Sequence, residues 1–153
     1  MGKLVKKSVR DSSQERKDVR RPNEIEFSSK WITENADKDM IAFCELSGKQ
    51  MANGRLTNSK IRSIYGEIKR IQMGSYEDGK VSFLLLKPKV AYALARDERN
   101  KGLQLFKKIF DDASYHVNDQ KSFDNFCDFF EAILAYHKVY YEANKNKKNC
   151  LYR

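Results

Sequence analysis

The chain has 153 residues, 41% of them hydrophobic, which excludes a long disordered chain and favours one domain with a substantial core. Its formal charge of +9, from 30 basic and 21 acidic residues, favours a polyanionic partner such as nucleic acid or an anionic membrane surface. The sequence holds no run of about eighteen apolar residues and no signal-peptide core, so we expect a soluble cytoplasmic protein that does not cross a membrane.

The net charge is concentrated at the two ends of the chain. Residues 1–22 carry a net charge of +5, residues 137–153 carry +4, and the residues between them are balanced. Within the balanced part, residues 55–96 carry +6 and residues 111–131 carry −5. A basic face and an acidic face on one domain suit nucleic-acid binding, and they also suit stacking between neighbouring copies or subunits.

The first 28 residues form a separate segment by composition. They contain eight Lys and Arg residues, interrupted by acids and serines, and almost no aromatic residues. Such a segment cannot bury enough apolar surface to offset its loss of conformational entropy on ordering. We predict a flexible basic arm over residues 1–28, which either adds non-specific phosphate contacts or only aids solubility.

The first helix is expected at residues 37–46, because apolar side chains recur there and the pair Ser47-Gly48 offers a helix end. Trp31, upstream of this helix, is expected to pin the preceding segment to the bundle. A polar linker then leads into the next helix. Four glycines are interpreted as breaks between elements: Gly48, Gly54, Gly74 and Gly79.

The pattern of residues 55–73 predicts a helix with basic residues on its surface. Four isoleucines recur at 3.6-residue spacing and make one apolar seam that must face a core. Thr57 or Ser59 is the expected N-cap. The isoleucines are Ile61, Ile64, Ile68 and Ile71.

Cations surround the rest of this helix. Arg62 and Lys69 fall on one shoulder, and Gly66 between them in sequence is small enough to let a phosphate backbone come close. Lys60 and Arg70 lie elsewhere on the polar side. The alternative interpretation is a basic face that is only solvated.

The following helix carries a second basic edge. After a break at residues 74–80, the next apolar run contains Pro88, where the helix either kinks or starts. On a helical wheel Lys89, Tyr92 and Arg96 share one edge, which combines cations with an aromatic face that can stack on a base or a ribose. The alternative is a half-buried Tyr92 between solvated cations.

Two further helices complete the predicted fold. One follows Gly102, and the last, a helix of about six turns capped by Ser122 or Asp119, carries a wide aromatic face and is the expected hub of the core. Residues 146–153 are expected to fray from it as a polar tail. No strand pattern competes, so we predict an all-α bundle of about five helices over residues 29–145.

No arrangement of residues in the sequence predicts catalysis. His137 lies in the apolar face of the last helix, where the expected role is that of a hydrogen-bonded core histidine. Asp111 and Asp112 lack partners at metal-ligand spacing, and neither a phosphate-binding glycine motif nor an HExxH motif is present. The three cysteines show neither zinc-site nor disulfide spacing. We therefore predict a protein that is not an enzyme and has no metal site and no cofactor.

Three segments together resemble a known family. LTNSKIRSIYGEIKRIQ (56–72), LLLKPKVAYALAR (84–96) and FDNFCDFFEAILAYHKVY (123–140) resemble, in order and spacing, the small subunit of the type III-A CRISPR effector, the Csm complex. The resemblance implies a small helical bundle present in several copies beside the guide-holding subunits, in a complex with a large polymerase-like subunit. It also implies contact with the guide–target RNA duplex, chiefly its target strand, and no nuclease activity.

The resemblance assigns RNA contacts to basic residues of the matching segments. The mechanism it implies is phosphate neutralisation with little base reading, because a guide can have any sequence. Two alternatives are a stand-alone helical DNA-binding protein and an architectural interaction subunit with little nucleic-acid contact. The expected RNA contacts are Arg62, Lys69, Lys87, Lys89 and Arg96, then Lys60, Arg70 and Lys138, with Tyr92 as an aromatic platform.

Overall fold

A computed structural model describes residues 25–151, which form six α-helices and no β-strand. This confirms the predicted all-α fold, with a single-turn helix ahead of five long helices. Residues 1–24, most of the predicted flexible arm, lie outside the described residues. The helices are α1 Lys30–Thr33, α2 Lys38–Asn53, α3 Asn58–Gln72, α4 Tyr76–Ala95, α5 Lys101–Ser114 and α6 Gln120–Leu151.

The last helix is the hub of the core, as the sequence predicts. α6 packs against α1, α2, α3 and α4, and its buried phenylalanines reach α5 as well. The ring centroids of Phe126 and Phe83 lie 5.1 Å apart, and those of Phe130 and Phe106 lie 5.5 Å apart. Both pairs meet edge to face, so the aromatic rings of α6 join α4 and α5 to the rest of the bundle.

The same helix is longer than predicted. Asp119, one of the two expected caps, accepts a hydrogen bond from the backbone N–H of Ser122 at 2.8 Å. The helix then continues to Leu151, across most of residues 146–153, the expected polar tail. The C-terminal residues contain no Gly or Pro, and Asn144 Nδ2 donates to Asn53 Oδ1 at 3.0 Å, which ties the extension to the end of α2.

The predicted end of the first long helix at Ser47-Gly48 is wrong, because α2 continues to Asn53. Gly48 is buried against α6, where a Cβ would lie 2.7 Å from both the backbone oxygen of Ile133 and the backbone nitrogen of His137. Glycine at this position therefore allows the two helix backbones to approach each other. Its role is close packing and not helix termination.

The helix with the isoleucine seam forms as predicted. Thr57 is its N-cap, and the Thr57 hydroxyl accepts a hydrogen bond from the backbone N–H of Lys60 at 3.3 Å. All four isoleucines of the seam are buried. The local signals agree with the tertiary structure here, which leaves the cations of α3 on its outer surface.

The break before α4 is much shorter than predicted. α4 begins at Tyr76, and the Ser75 hydroxyl caps it by accepting the backbone N–H of Asp78 at 3.2 Å. Gly79 is therefore inside the helix and is not a break. A Cβ at Gly79 would collide with the side chain of Ile71, so this glycine makes room for the end of α3.

Pro88 also lies inside α4, so the helix does not start there. A proline removes one helical N–H and leaves the carbonyl group four residues earlier, that of Leu84, without its usual partner. The Leu84 side chain is exposed, so this carbonyl lies on the side of α4 where water can bond to it.

The residues before α1 pack on the bundle. The Phe27 ring centroid lies 5.8 Å from that of Trp31 and 5.7 Å from that of Phe129. Trp31 is buried, which confirms that it pins this segment. Ile25 and Phe27, within the segment predicted as a basic arm over residues 1–28, pack against the core.

Candidate nucleic-acid interface

The cations of α3 lie on two flanks of the helix, on either side of the buried seam. Arg62 and Lys69 lie on the flank that faces α6, whereas Lys60 lies on the flank that faces α4. Gly66 is exposed on the outer ridge between the flanks, and no atom lies within 4 Å of the position that its Cβ would take.

A groove of about 530 Å³ runs between α3 and α4. Its basic edge is the one predicted on α4: Lys89 and Arg96 line it, and Tyr92 between them is 65% exposed. The Arg96 guanidinium carbon lies 5.8 Å from the centroid of the Tyr92 ring. Lys60 enters the same groove from α3, so residues from two predicted basic edges meet here. We call it the α3–α4 groove.

Two of the predicted cations of α3 are partly neutralised. Lys60 Nζ forms an ion pair with Asp97, and the hydrogen bond from Lys60 holds the pKa of that carboxyl below its usual value. Arg70 lies 3.0 Å from a carboxylate oxygen of Glu67, one turn earlier on α3. Within residues 25–151 Lys89 forms no ion pair, so it is better placed than Lys60 or Arg70 to meet a phosphate.

A second groove, of about 480 Å³, lies between α3 and α6. Arg62 lines it from α3 and Lys138 lines it from α6, and its floor is largely apolar. Lys69 lies further along the same flank, where its Nζ is 3.7 Å from Glu131 Oε1 and 5.3 Å from the centroid of the Tyr65 ring. We call this the α3–α6 groove; it brings Arg62 and Lys138 together and leaves Lys69 beside an acid.

Lys87 stands apart from the other predicted residues. It is exposed on α4 and lines neither groove. Leu84, three residues earlier and therefore on the same side of α4, is also exposed. Lys87 therefore belongs to a mixed apolar and basic surface and not to the concave parts of the interface.

The sequence interpretation missed a third basic groove, of about 600 Å³, which we call the C-terminal groove. Arg55 lines it from the loop before α3, and the last turns of α6 line it from the other side. The sequence shows the net charge of +4 over residues 137–153, but it does not show that these lysines face Arg55 across a groove. The cations of this groove are Arg55, Lys145, Lys147 and Lys148.

The buried titratable groups have structural roles. His137 Nε2 lies 2.7 Å from the carbonyl oxygen of Leu56 and donates a hydrogen bond to it, which confirms the predicted core histidine. Burial lowers the pKa of His137 and raises the thiol pKa of Cys44 and Cys127 to about 12. Among the described residues, no cluster of His, Cys, Asp and Glu could hold a metal ion.

No helix in the described part of the chain has the length and apolar character needed to cross a membrane. The three basic grooves meet around the N-terminal turn of α3. Thr57 lines the C-terminal groove, Asn58 lines the α3–α6 groove and Lys60 lines the α3–α4 groove. The positive end of the α3 dipole adds to the field at this point.

Comparison with known families gives a match over most of the chain. The family model described as Csm2 Type III-A matches residues 34–143, which run from just before α2 into α6. All nine residues predicted to contact RNA lie within the matched range, whereas Lys145, Lys147 and Lys148 lie beyond it. No curated protein and no solved structure gives a significant match.

Proposed function

We propose an RNA-binding role for this chain, which belongs to the Csm2 Type III-A family and is a subunit of a type III-A Csm effector complex. In this role it binds the phosphates of the guide–target RNA duplex, chiefly on the target strand. The α3–α4 groove is the observation that carries the proposal. It places two long cationic side chains, Lys89 and Arg96, on either side of an exposed Tyr92. Lysine and arginine neutralise phosphates, and a tyrosine ring stacks on any base.

Binding of this kind is independent of sequence. A guide can have any sequence, so a subunit that read base edges would reject most targets. The interface offers cations, which neutralise phosphates, and one aromatic platform, which accepts any base. The proposed role is therefore to hold the duplex, while cleavage belongs to other subunits.

The polarity of the surface supports assembly in several copies. Asp112, Asp124 and Asp128 are exposed on α5 and α6, in the acidic stretch of residues 111–131, whereas the basic grooves lie around α3. Opposite charges on separate parts of one bundle favour contact between neighbouring copies. The guide-holding subunits and the large polymerase-like subunit are the other proposed partners, in a complex that we place in the cytoplasm.

An architectural role with little RNA contact is the second candidate. Val81, Leu84 and Leu85 are each more than half exposed on α4, and apolar side chains grouped in this way favour contact with protein. The two candidates differ in what the basic residues do, because an architectural subunit does not need Lys89 or Arg96 for its contacts.

The test is a triple variant, Arg62→Ala, Lys89→Ala and Arg96→Ala, compared with the wild type for binding to two RNA duplexes of unrelated sequence. We expect weaker binding to both duplexes by the same factor, and a salt slope of log Kd reduced by about 2. A variant with Lys101, Lys108 and Lys121 changed to Ala loses the same charge outside the grooves and serves as the control.

Unchanged RNA binding by a correctly folded triple variant would overturn the assignment. Circular dichroism establishes whether the variant is folded. A duplex DNA of the same sequence is included, because preference for one DNA sequence is the property of the stand-alone DNA-binding alternative and would also contradict the proposal.

A further inference from the structure

One side of α6 carries a stripe of basic and aromatic residues. Of these residues, the sequence predicted only Lys138 as an RNA contact. Lys138, Tyr141, Lys145 and Lys148 follow one another at intervals of three, four and three residues. Residues at these intervals lie above one another on one side of a helix. The stripe therefore spans eleven residues, from 138 to 148, a length of about 15 Å along the helix axis.

The stripe runs along two grooves, first the α3–α6 groove and then the C-terminal groove. Lys138 lines the α3–α6 groove, opposite Arg62, whereas Lys145 and Lys148 line the C-terminal groove, opposite Arg55. The start of α3 lies between the two grooves, where Asn58 Nδ2 lies 3.4 Å from Glu142 Oε1. The two grooves therefore adjoin, with this contact between α3 and α6 separating them.

The C-terminal groove is the most strongly cationic of the three. Four basic residues line it and no Asp or Glu does, whereas Glu67 lines the α3–α4 groove and Glu131 lines the α3–α6 groove. Within the part of the chain that the structure describes, none of its cations forms an ion pair. A cationic concavity without acids is suited to a polyanion and not to a mixed-charge protein surface.

Tyr141 supplies an aromatic platform in this groove. Its ring stacks on the buried His137 ring at a centroid distance of 5.4 Å, so the core fixes its orientation. Lys145 Nζ lies 5.9 Å from the centroid of the same ring. The combination of a fixed ring and an adjacent cation repeats the arrangement of Tyr92 and Arg96 in the α3–α4 groove.

Arg55 has a backbone conformation that is unfavourable for residues other than glycine. Its φ of 72° lies in the left-handed region, where glycine is preferred. Its carbonyl oxygen accepts a hydrogen bond from Asn100 Nδ2 at 3.0 Å, which holds the strained residue in place. Strain that the surrounding structure maintains is frequently found at functional positions, and here it presents a guanidinium to the C-terminal groove.

We propose that the C-terminal groove is a second binding site for RNA phosphates, which continues the α3–α6 groove along the stripe of α6. The strand leaves the pair Arg62 and Lys138, passes Tyr141 and ends between Arg55 and the lysines of the last turns. This inference rests on the proposed function, because it extends the path of the same RNA. It adds residues that the family match does not cover.

The test compares the double variant Lys145→Ala/Lys148→Ala with a control, Lys108→Ala/Lys121→Ala, which loses the same charge away from the grooves. Each is measured in full-length protein, alone and in the reconstituted effector, with the same two RNA duplexes. We expect the first variant to bind about tenfold more weakly near 0.1 M salt, with a salt slope reduced by about 1.5, and the control to bind like the wild type.

Arg55→Gly provides a second, independent readout. It removes the guanidinium and relieves the left-handed strain, so we expect a higher Tm together with weaker RNA binding. A merely structural role for Arg55 predicts the higher Tm with unchanged binding, and this result would overturn the participation of Arg55.

The outcomes separate this inference from the proposed function. If the Lys145/Lys148 variant binds RNA like its control while the Arg62/Lys89/Arg96 variant is weakened, the second site is overturned and the proposed function stands. If neither variant is weakened, the proposed function fails as well. Loss of assembly with protein subunits and no change in RNA affinity would also overturn the second site.

Discussion

Three consecutive carbonyl groups between α2 and α3 are each bonded by a different residue of the bundle. The oxygen of Gly54 accepts the backbone N–H of Gly102 at 2.9 Å, and that of Arg55 accepts Asn100 Nδ2 at 3.0 Å. The oxygen of Leu56 accepts His137 Nε2 at 2.7 Å. These bonds join α5 and α6 to the loop that carries Arg55, so the direction of the Arg55 side chain is set by core residues.

The bond from His137 leads to a prediction about pH. Burial holds the pKa of His137 below its ordinary value of 6.5, so the folded protein binds a proton less readily than the unfolded chain. The contribution of His137 to stability is complete above that ordinary value and is lost as the pH falls through the lower, folded value. We expect the free energy of unfolding in urea to be smaller at pH 5.5 than at pH 7.5.

The control for this prediction is His137→Gln, which keeps a hydrogen-bond donor but does not titrate. We expect it to cost about 1–3 kcal/mol at pH 7.5 and to show a weaker loss of stability on acidification than the wild type. The remaining pH dependence belongs to carboxyls such as Asp97 and Asp119, whose pKa values are lowered by hydrogen bonds. Equal pH dependence in the two proteins would contradict the account.

At the scale of the elements, α2 and α6 pack backbone to backbone at Gly48. Gly48 allows it, since a Cβ would meet the α6 backbone, which cannot move aside as a flexible side chain can. Gly66 on α3 is the opposite case, because open space surrounds its Cβ position. The two glycines therefore respond differently to the same substitution.

We expect Gly48→Ala to destabilise the protein by about 1–3 kcal/mol, because overpacking against the backbone outweighs the gain in helix propensity. The matched variant Gly66→Ala should stabilise it by about 0.5–1 kcal/mol, because only the propensity term acts. Urea unfolding followed by circular dichroism measures both values. A Gly48→Ala protein as stable as Gly66→Ala would show that the two helices are not held so closely.

The same contrast explains how much of the fold could be predicted from the sequence. α3 could be predicted almost to the residue, because its isoleucine seam and its Thr57 cap are both local signals. The roles of Gly48 and Gly79 could not, because each glycine is required by a residue on another helix. A glycine that ends a helix and one that packs against a helix look the same in sequence.

The candidate site could be predicted in part for similar reasons. The basic edge at Lys89 and Arg96 could be predicted, since helical spacing alone places both residues on one side of α4. The C-terminal groove could not be predicted, because Arg55 and Lys148 are far apart in sequence and meet only when α6 extends past its aromatic part. Nor does spacing reveal that Lys60 pairs with Asp97 and Lys69 lies beside Glu131.

At the scale of the whole molecule, different residues provide the packed core and the basic surface. The aromatic core around α6 fixes the bundle, and the cations of α3, α4 and α6 surround one region at the start of α3. Asp112, Asp124 and Asp128 of the acidic stretch 111–131 line none of the three grooves, whereas Glu131 lines the α3–α6 groove. This arrangement suits a subunit of the type III-A Csm complex that holds RNA by its phosphates and contacts neighbouring subunits through its other surfaces.

The most direct test of this role places a photoactivatable benzoyl-phenylalanine at Tyr92 or, as the matched control, at Tyr115, in effector complex reconstituted with guide and target RNA. Both tyrosines are exposed, by 65% and 82%, but Tyr92 lies between the cations of the α3–α4 groove and Tyr115 lies beside Asp111 and Asp112. We predict crosslinks to RNA from position 92 and none from position 115. Crosslinks from position 92 to protein subunits alone would contradict RNA binding and identify an architectural subunit.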